Sequence, residues 1–103
     1  MVTQHTALTE VGAFITDLRE LGVVPQRVIL FGSFARNEQH EWSDIDVAVV
    51  AEELSGFRPT DYRRFSAALC RHLDIELHPF RPEDFIDWNP FVEEIKRTGI
   101  VVV

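Results

Sequence analysis

Hydrophobic and polar positions in the first half of the chain follow one helical pattern and then two strand patterns. Apolar residues at the i, i+3, i+4 and i+7 spacing predict an amphipathic helix from about residue 6 to 21, closed by Gly22. The apolar, β-branched run 27–31 predicts a buried strand. Residues 44–51 alternate between Asp and apolar residues before becoming wholly apolar, which predicts a strand whose start is acidic on one face. A short helical turn is expected between the strands, at 34–37.

The second half of the chain predicts two further helices and two further strands. The spacing of aromatic and apolar residues predicts a helix from about residue 60 to 73, with Thr60 as its N-cap. Residues 75–80 alternate in polarity as a strand does, and residues 100–103 predict a terminal edge strand. Between them, residues 89–99 predict a helix that begins at an Asn-Pro pair and ends at a glycine. This order predicts an α/β (α+β) fold with one small mixed β-sheet flanked by helices.

Length and composition are those of an ordinary globular domain. The 103 residues, 46% hydrophobic and 26% charged, suffice for one core, so residues 1–103 are expected to form a single domain. No apolar run approaches the roughly 20 residues that cross a bilayer, and the N-terminus lacks the features of a secretory signal. A cytoplasmic protein that does not enter a membrane is expected.

Charge, cysteine and histidine usage disfavour several kinds of site. The net charge of −7 opposes nonspecific binding to nucleic acid, so a protein partner or a metal-chelated nucleotide is favoured. Cys70 is the single cysteine, and its place in a predicted helix favours a buried structural thiol over a nucleophile. The four histidines lack the spacing of metal ligands, so surface or loop positions are expected for His5, His40, His72 and His78.

The clearest chemical motif is Gly32-Ser33 followed, after ten residues, by Asp44-Ile45-Asp46. Residues two apart on a strand point the same way, roughly 7 Å apart, so Asp44 and Asp46 can bracket a pair of divalent metal ions. Two such ions stabilise the attacking and leaving oxygens when a nucleoside monophosphate is transferred, and Mg²⁺ prefers oxygen ligands. Each half of the motif is common in turns and strand ends, but together they favour nucleotidyl transfer.

A third carboxylate from the neighbouring strand would complete this metal cluster. Glu76 is the preferred candidate because it lies inside the predicted strand, between Ile75 and Leu77. Asp74 has the same facing and remains a rival, although it lies at the junction between helix and strand. His78 also shares that face, but it is not assigned to the site.

The Gly-Ser turn predicts a phosphate-binding segment beside the carboxylates. Gly32 has no side chain to block an approaching phosphate, and Ser33 offers a hydroxyl and a backbone N–H at the start of a helical turn. Arg36, one turn later, could face the phosphates or clamp the loop to the carboxylates. We therefore expect Gly32, Ser33 and Arg36 to contact the nucleotide.

Residues 28–50 resemble the signature of the DNA polymerase beta-like nucleotidyltransferase superfamily, and the short chain is similar to its minimal nucleotidyltransferase branch. The residues that match the family motif are Gly32, Ser33, Asp44, Asp46 and, as the third carboxylate, Glu76. Two positions depart from the pattern. Asn37 stands where the family usually has Gly, and Glu76 stands where Asp is commoner.

This resemblance implies an enzyme that uses ATP and two Mg²⁺ ions and transfers AMP to a hydroxyl group of another protein. By the resemblance, Asp44 and Asp46 hold both ions, and Glu76 holds the ion that activates the acceptor hydroxyl. Relatives of this branch are antitoxins paired with HEPN-domain toxins, whose tyrosine hydroxyl is adenylylated. Larger relatives carry a second domain that binds the acceptor, so here a partner is expected to supply that surface.

Two other functions fit the same residues. The chain could be an antitoxin that neutralises its partner stoichiometrically, with idle carboxylates. It could also be a nucleotidyltransferase that acts on a small molecule or an RNA end with the help of a separate acceptor-binding subunit. Dependence on metal and nucleotide separates the enzymes from the binding protein. The sequence leaves both a homo-oligomer and a hetero-oligomer open.

Overall fold

The computed structural model describes residues 3–103, in which one β-sheet is flanked by helices. In chain order the elements are α1 (Gln4–Glu20), β1 (Arg27–Phe31), β2 (Ile45–Val50), α2 (Arg58–Arg64), α3 (Ser66–Arg71), β3 (Ile75–Phe80), a 3₁₀ turn (Pro82–Asp84), α4 (Pro90–Thr98) and β4 (Ile100–Val101). Within this part of the chain, no helix has the length and apolarity needed to cross a membrane.

The sheet is mixed, as the sequence predicts, and its strand order is β3-β2-β1-β4. β1 runs antiparallel to both β2 and β4, whereas β2 and β3 are parallel. A parallel pair needs a crossover connection, and α2 and α3 provide it. The end of β1 and the starts of β2 and β3 therefore meet at one end of the sheet.

Both faces of the sheet are covered, so β1 and β2 are apolar on both sides. The larger core lies between one face and helices α1, α2 and α3, and includes Phe14, Leu18, Val47 and Leu77. A smaller core on the other face joins Ile29 and other strand residues to Phe85 and to the buried side of α4. This second face of the sheet also carries Asp46, which pairs with Phe31 at the start of β2.

The helix predicted at 60–73 is wrong in its extent, since two short helices occupy this region. The chain enters α2 at Arg58, after Phe57, and Thr60 does not cap it. At Phe65 the backbone leaves helical dihedral angles, with φ −110° and ψ 25°. The break lets α2 pack against β3 while α3 packs against α1. Leu73, predicted on the helical stripe, is 83% exposed in the turn that follows.

The expected environments of Cys70 and His72 are also wrong. Cys70 is exposed, because the buried side of α3 carries Ala68 and Leu69 instead. His72 is only 7% exposed and lies at the end of α3, against Phe14 of α1. Burial of a histidine was unexpected because the sequence gives no sign of its partners.

The partners of His72 are two carboxylates of α1. Its Nδ1 atom lies 2.6 Å from Glu10 Oε1, and its Nε2 atom lies 2.7 Å from Asp17 Oδ2. Only a protonated imidazole can donate from both nitrogens. Burial lowers the pKa of His72, but the hydrogen bonds and charges of Glu10 and Asp17 outweigh it, so the pKa is raised above its ordinary value. His72 therefore ties α3 to α1 as a cation.

Replacing His72 should change how the stability of the fold depends on pH. Because the folded state raises the pKa, the contribution of His72 is fully present below the pKa of an unfolded histidine. It is lost as the pH rises through the raised pKa of the folded state. In urea unfolding, the free-energy difference between wild type and His72→Gln should shrink across that window. The exposed His5→Gln is the control, and an equal pH slope for wild type and His72→Gln would contradict the cationic role.

Candidate active site

The candidate site lies where the end of β1 meets the starts of β2 and β3. Asp46 is paired with Phe31 on one side and with Glu76 on the other. The neighbours of Asp46 in sequence, Ile45 and Val47, are buried in the larger core. Successive residues on a strand point to opposite faces, so burial of these neighbours directs the Asp46 carboxylate away from that core.

Three side chains from the two parallel strands come together there. Asp46, Glu76 and His78 each offer one ligand atom, and these atoms all lie within 4.8 Å of one another. His78 Nε2 is 3.3 Å from Asp46 Oδ1 and 4.0 Å from Glu76 Oε1. Two carboxylate oxygens and an imidazole nitrogen are suitable ligands for a divalent cation. This donor set fits a divalent cation.

The carboxylates predicted from sequence occupy different settings. Glu76 lies directly beside Asp46, whereas Asp74 is exposed in the turn before β3 and offers its backbone carbonyl to the Ile45 amide at 2.8 Å. Asp44 precedes β2 by one residue and is exposed. Among residues 3–103, neither Asp44 nor Asp74 belongs to the close group. The metal-binding role of Asp44 stays a prediction.

Sequence reasoning did not assign His78 to the site. The histidine lies two residues after Glu76, so its side chain shares the face of the carboxylates. Its ring packs edge-on against Phe31, with centroids 4.9 Å apart, and against Phe91, with centroids 5.9 Å apart. The side chain is 16% exposed. The alternation of β3 was the signal that could have identified it.

The turn after β1 brings backbone close to Asp46. Gly32 has φ +74°, and a Cβ at this position would overlap the Asp46 carboxylate. Only glycine therefore satisfies both the backbone conformation and the space at this position. Ser33 follows immediately, which places the predicted phosphate-binding residue beside the carboxylates.

Residues 32–37 form turns, and the Arg36 amide donates to the Gly32 carbonyl at 3.2 Å as in a single helical turn, close to the turn predicted at 34–37. The backbone carbonyl of Ser33 accepts a hydrogen bond from the Glu38 amide at 2.8 Å, and Asn37 has φ 56°. Asn adopts this left-handed conformation more readily than most residues, so it can replace the glycine usual in similar sequences. The Gln4 side-chain amide donates to the Phe34 carbonyl at 3.0 Å and so ties the segment to α1.

Within the described residues, Arg36 pairs with Glu38, so the predicted clamp from Arg36 to the site carboxylates is not formed. Arg36 is exposed and its Nε lies 3.4 Å from Glu38 Oε2. An exposed ion pair of this kind contributes little to stability. Trp42, in the same connection between β1 and β2, is 82% exposed. Both side chains are thus accessible near the site, and the nucleotide contact of Arg36 stays a prediction.

Arg58 is a residue of the site that the sequence reasoning missed. One guanidinium nitrogen lies 3.0 Å from Glu76 Oε1 and 3.3 Å from the Tyr62 hydroxyl. The pKa of Arg58 is raised, mainly by the hydrogen bond to Tyr62. Desolvation opposes this effect, and the contact with Glu76 adds to it. The same hydroxyl accepts a hydrogen bond from the Leu77 amide at 2.9 Å. Arg58 and Tyr62 thus join α2 to the outer edge of β3.

A buried carboxylate holds the start of α2 in place. Asp61 is fully buried and accepts hydrogen bonds from the Ser55 amide, the Ser55 hydroxyl and the Gly56 amide, each at 3.0 Å. Its charge is therefore satisfied by the loop that leads into the helix. This loop sets the position of Arg58 relative to Glu76. No sequence pattern indicated this role.

Comparison with known proteins agrees with this geometry. Residues 11–101 match the family described as Nucleotidyltransferase domain. The chain is 30% identical over 77 residues to the "Putative protein adenylyltransferase MJ0141" of Methanocaldococcus jannaschii, covering 74% of this chain and 77% of that protein. It also resembles the "Structure of putative minimal nucleotidyltransferase", with a TM-score of 0.61 and 27% identity over 96% of this chain and 95% of that chain. These similarities confirm the predicted fold.

Alanine substitutions at three glycines should separate the two reasons for glycine at position 32, which are its positive φ and the lack of space beside Asp46. Gly12 is helical with open space around it, so Gly12→Ala should raise the free energy of unfolding by about 0.5–1 kcal/mol. Gly22 has φ +93° and open space, so Gly22→Ala should cost roughly 1–2 kcal/mol through backbone strain alone.

Gly32→Ala should cost more than Gly22→Ala, because it adds the overlap with Asp46 to a similar backbone strain. It should also weaken binding of Mn²⁺ used as a probe, whereas the other two variants should not. Urea unfolding and metal titration measure both effects. Equal losses of stability at Gly22 and Gly32, with unchanged metal affinity, would show that the turn does not shape the site.

Proposed function

This chain belongs to the nucleotidyltransferase domain family, and from that premise we propose that it transfers AMP from ATP to a hydroxyl group of a partner protein. The observation that carries the proposal is the juxtaposition of Asp46 and Glu76 on paired strands, beside a glycine turn with no room for a side chain. One part of this site suits a cation and the other suits phosphate, and ATP requires both.

The reaction breaks one phosphoanhydride bond and forms one phosphoester bond. The acceptor oxygen bonds to the α-phosphorus while the bond to the bridging oxygen of pyrophosphate breaks and the acceptor hydroxyl loses its proton. Bound divalent cations, with Mg²⁺ the ion that the sequence predicts, would neutralise charge on the phosphate oxygens and favour loss of that proton. Asp46 and Glu76, and Asp44 by the sequence prediction, would hold them.

The chain's own groups position the nucleotide. The Gly32-Ser33 turn lies beside the Asp46 carboxylate, and the Ser33 hydroxyl and amide can approach the outer phosphates from there. Arg58 lies on the Glu76 side of the site, where its guanidinium provides positive charge beside the carboxylate. Positive charge there offsets repulsion between Glu76 and an incoming polyphosphate.

Similarity to a protein that carries the name of a protein adenylyltransferase supports a protein as the acceptor. We propose that this acceptor is a tyrosine of a HEPN-domain toxin and that the chain is the corresponding antitoxin, as its resemblance to antitoxin-type relatives implies. Trp42 in the β1–β2 connection and Phe57 next to Arg58 are both exposed, which supports docking through segments that adjoin the site residues in sequence. Aromatic residues are enriched where proteins bind one another.

Transfer should be tested with ATP labelled at the α-phosphate, a divalent cation and the product of the adjacent gene, which we propose to be the HEPN-domain protein. Wild type should label that protein, and Asp46→Asn and Glu76→Gln should each reduce the rate by at least about a hundredfold. Asp74→Asn is the matched control, since this carboxylate precedes the same strand but is not in the close group. It should retain activity.

Other outcomes distinguish the remaining functions. If Asp46→Asn neutralises the HEPN-domain protein as well as wild type does, the chain acts by binding and the catalytic proposal is wrong. If the label enters a small molecule or an RNA end and no protein, the acceptor is misidentified.

A further inference from the structure

We propose that His78 is a direct nitrogen ligand of the cation held by Asp46 and Glu76, and that it makes this site prefer a first-row transition-metal ion such as Mn²⁺ over Mg²⁺. The inference rests on the proposed function, because it names the metal preference of the same site. It changes the expectation from the sequence, which assigned Mg²⁺ to carboxylates alone.

The separations between the donor atoms support a shared ion. His78 Nε2 lies 3.3 Å from Asp46 Oδ1 and 4.0 Å from Glu76 Oε1. Oxygen and nitrogen ligands that lie about 2.0–2.2 Å from one ion are about 3 Å apart when they occupy adjacent positions. The three side chains thus need only small shifts to share a cation, provided that Arg58 leaves the Glu76 oxygen that it contacts at 3.0 Å.

Packing fixes the His78 ring with one nitrogen towards the carboxylates. Phe31 and Phe91 meet the ring in edge-on contacts, and the backbone of His78 pairs with Ala48 in the parallel ladder. A ring held in this way loses little further freedom when it binds a metal. The Nε2 atom that lies near Asp46 is therefore available at low entropic cost.

The identity of the donors determines the preference between metals. Mg²⁺ favours oxygen ligands and retains several waters, so an imidazole adds little to its binding. First-row transition-metal ions accept imidazole nitrogen, and their affinities for mixed nitrogen and oxygen sites generally increase from Mn²⁺ to Cu²⁺. Unlike a further carboxylate, a neutral imidazole nitrogen adds no negative charge, which a hard cation such as Mg²⁺ prefers. His78 should consequently raise affinity for Mn²⁺ selectively.

The test is Mn²⁺ binding to the nucleotide-free protein, followed by electron paramagnetic resonance. Wild type should show nitrogen hyperfine coupling to the bound Mn²⁺. His78→Gln, which retains a polar group able to reach Asp46, should abolish the coupling and weaken Mn²⁺ binding at least about tenfold. Competition with Mg²⁺ should show that Mg²⁺ affinity changes by less than about twofold. His5→Gln, an exposed site on α1, is the control and should match wild type.

Two results would overturn the inference: wild type without nitrogen coupling, or His78→Gln with unchanged Mn²⁺ affinity. His78→Asn is a second variant, and urea unfolding of both variants shows that any loss of binding occurs in folded protein. The outcome is separate from that of the proposed function. Nitrogen coupling to Mn²⁺ without AMP transfer would support His78 as a ligand and contradict the proposed enzyme. AMP transfer without nitrogen coupling would support the enzyme and contradict His78 as a ligand.

Discussion

The parallel pairing of β2 with β3 is the constraint on which the site depends. Its register places Asp46 directly beside Glu76, and two residues later Ala48 beside His78. A shift by one residue would turn Glu76 and His78 to the opposite face, because side chains alternate along a strand. Burial of Leu77 on that opposite face opposes such a shift. The hydrophobic core therefore determines where the acidic and imidazole groups meet.

The antiparallel pairing of β1 adds the second half of the site. Because β1 ends where β2 begins, the turn at Gly32 lies against the Asp46 carboxylate. The turn predicted to bind phosphate and the group of candidate metal ligands are thus adjacent, although each belongs to a different strand end. On the other side, Arg58 and Tyr62 contact Glu76 and the outer edge of β3. Fold and site share the same few strand pairings.

The sequence predicted those features that depend on local patterns. Strand alternation and the Gly-Ser and Asp-x-Asp motifs predicted that Glu76 and Gly32 lie near Asp46, as the structure shows, since each signal lies within a few residues. Prediction from sequence failed where contacts between distant residues determine the environment of a side chain. His72 is buried because carboxylates more than fifty residues away neutralise it, and Arg58 contacts a glutamate eighteen residues later. No local pattern contains such partners, and the break at Phe65 follows from packing in the same way.

The most direct test of the shared metal site is the anomalous scattering of a crystal of the nucleotide-free protein soaked in Mn²⁺. We expect an anomalous peak within bonding distance of Asp46, Glu76 and His78, with Arg58 displaced from the Glu76 oxygen that it now contacts. A crystal in which Mn²⁺ binds elsewhere, while Arg58 and Glu76 remain paired, would contradict it.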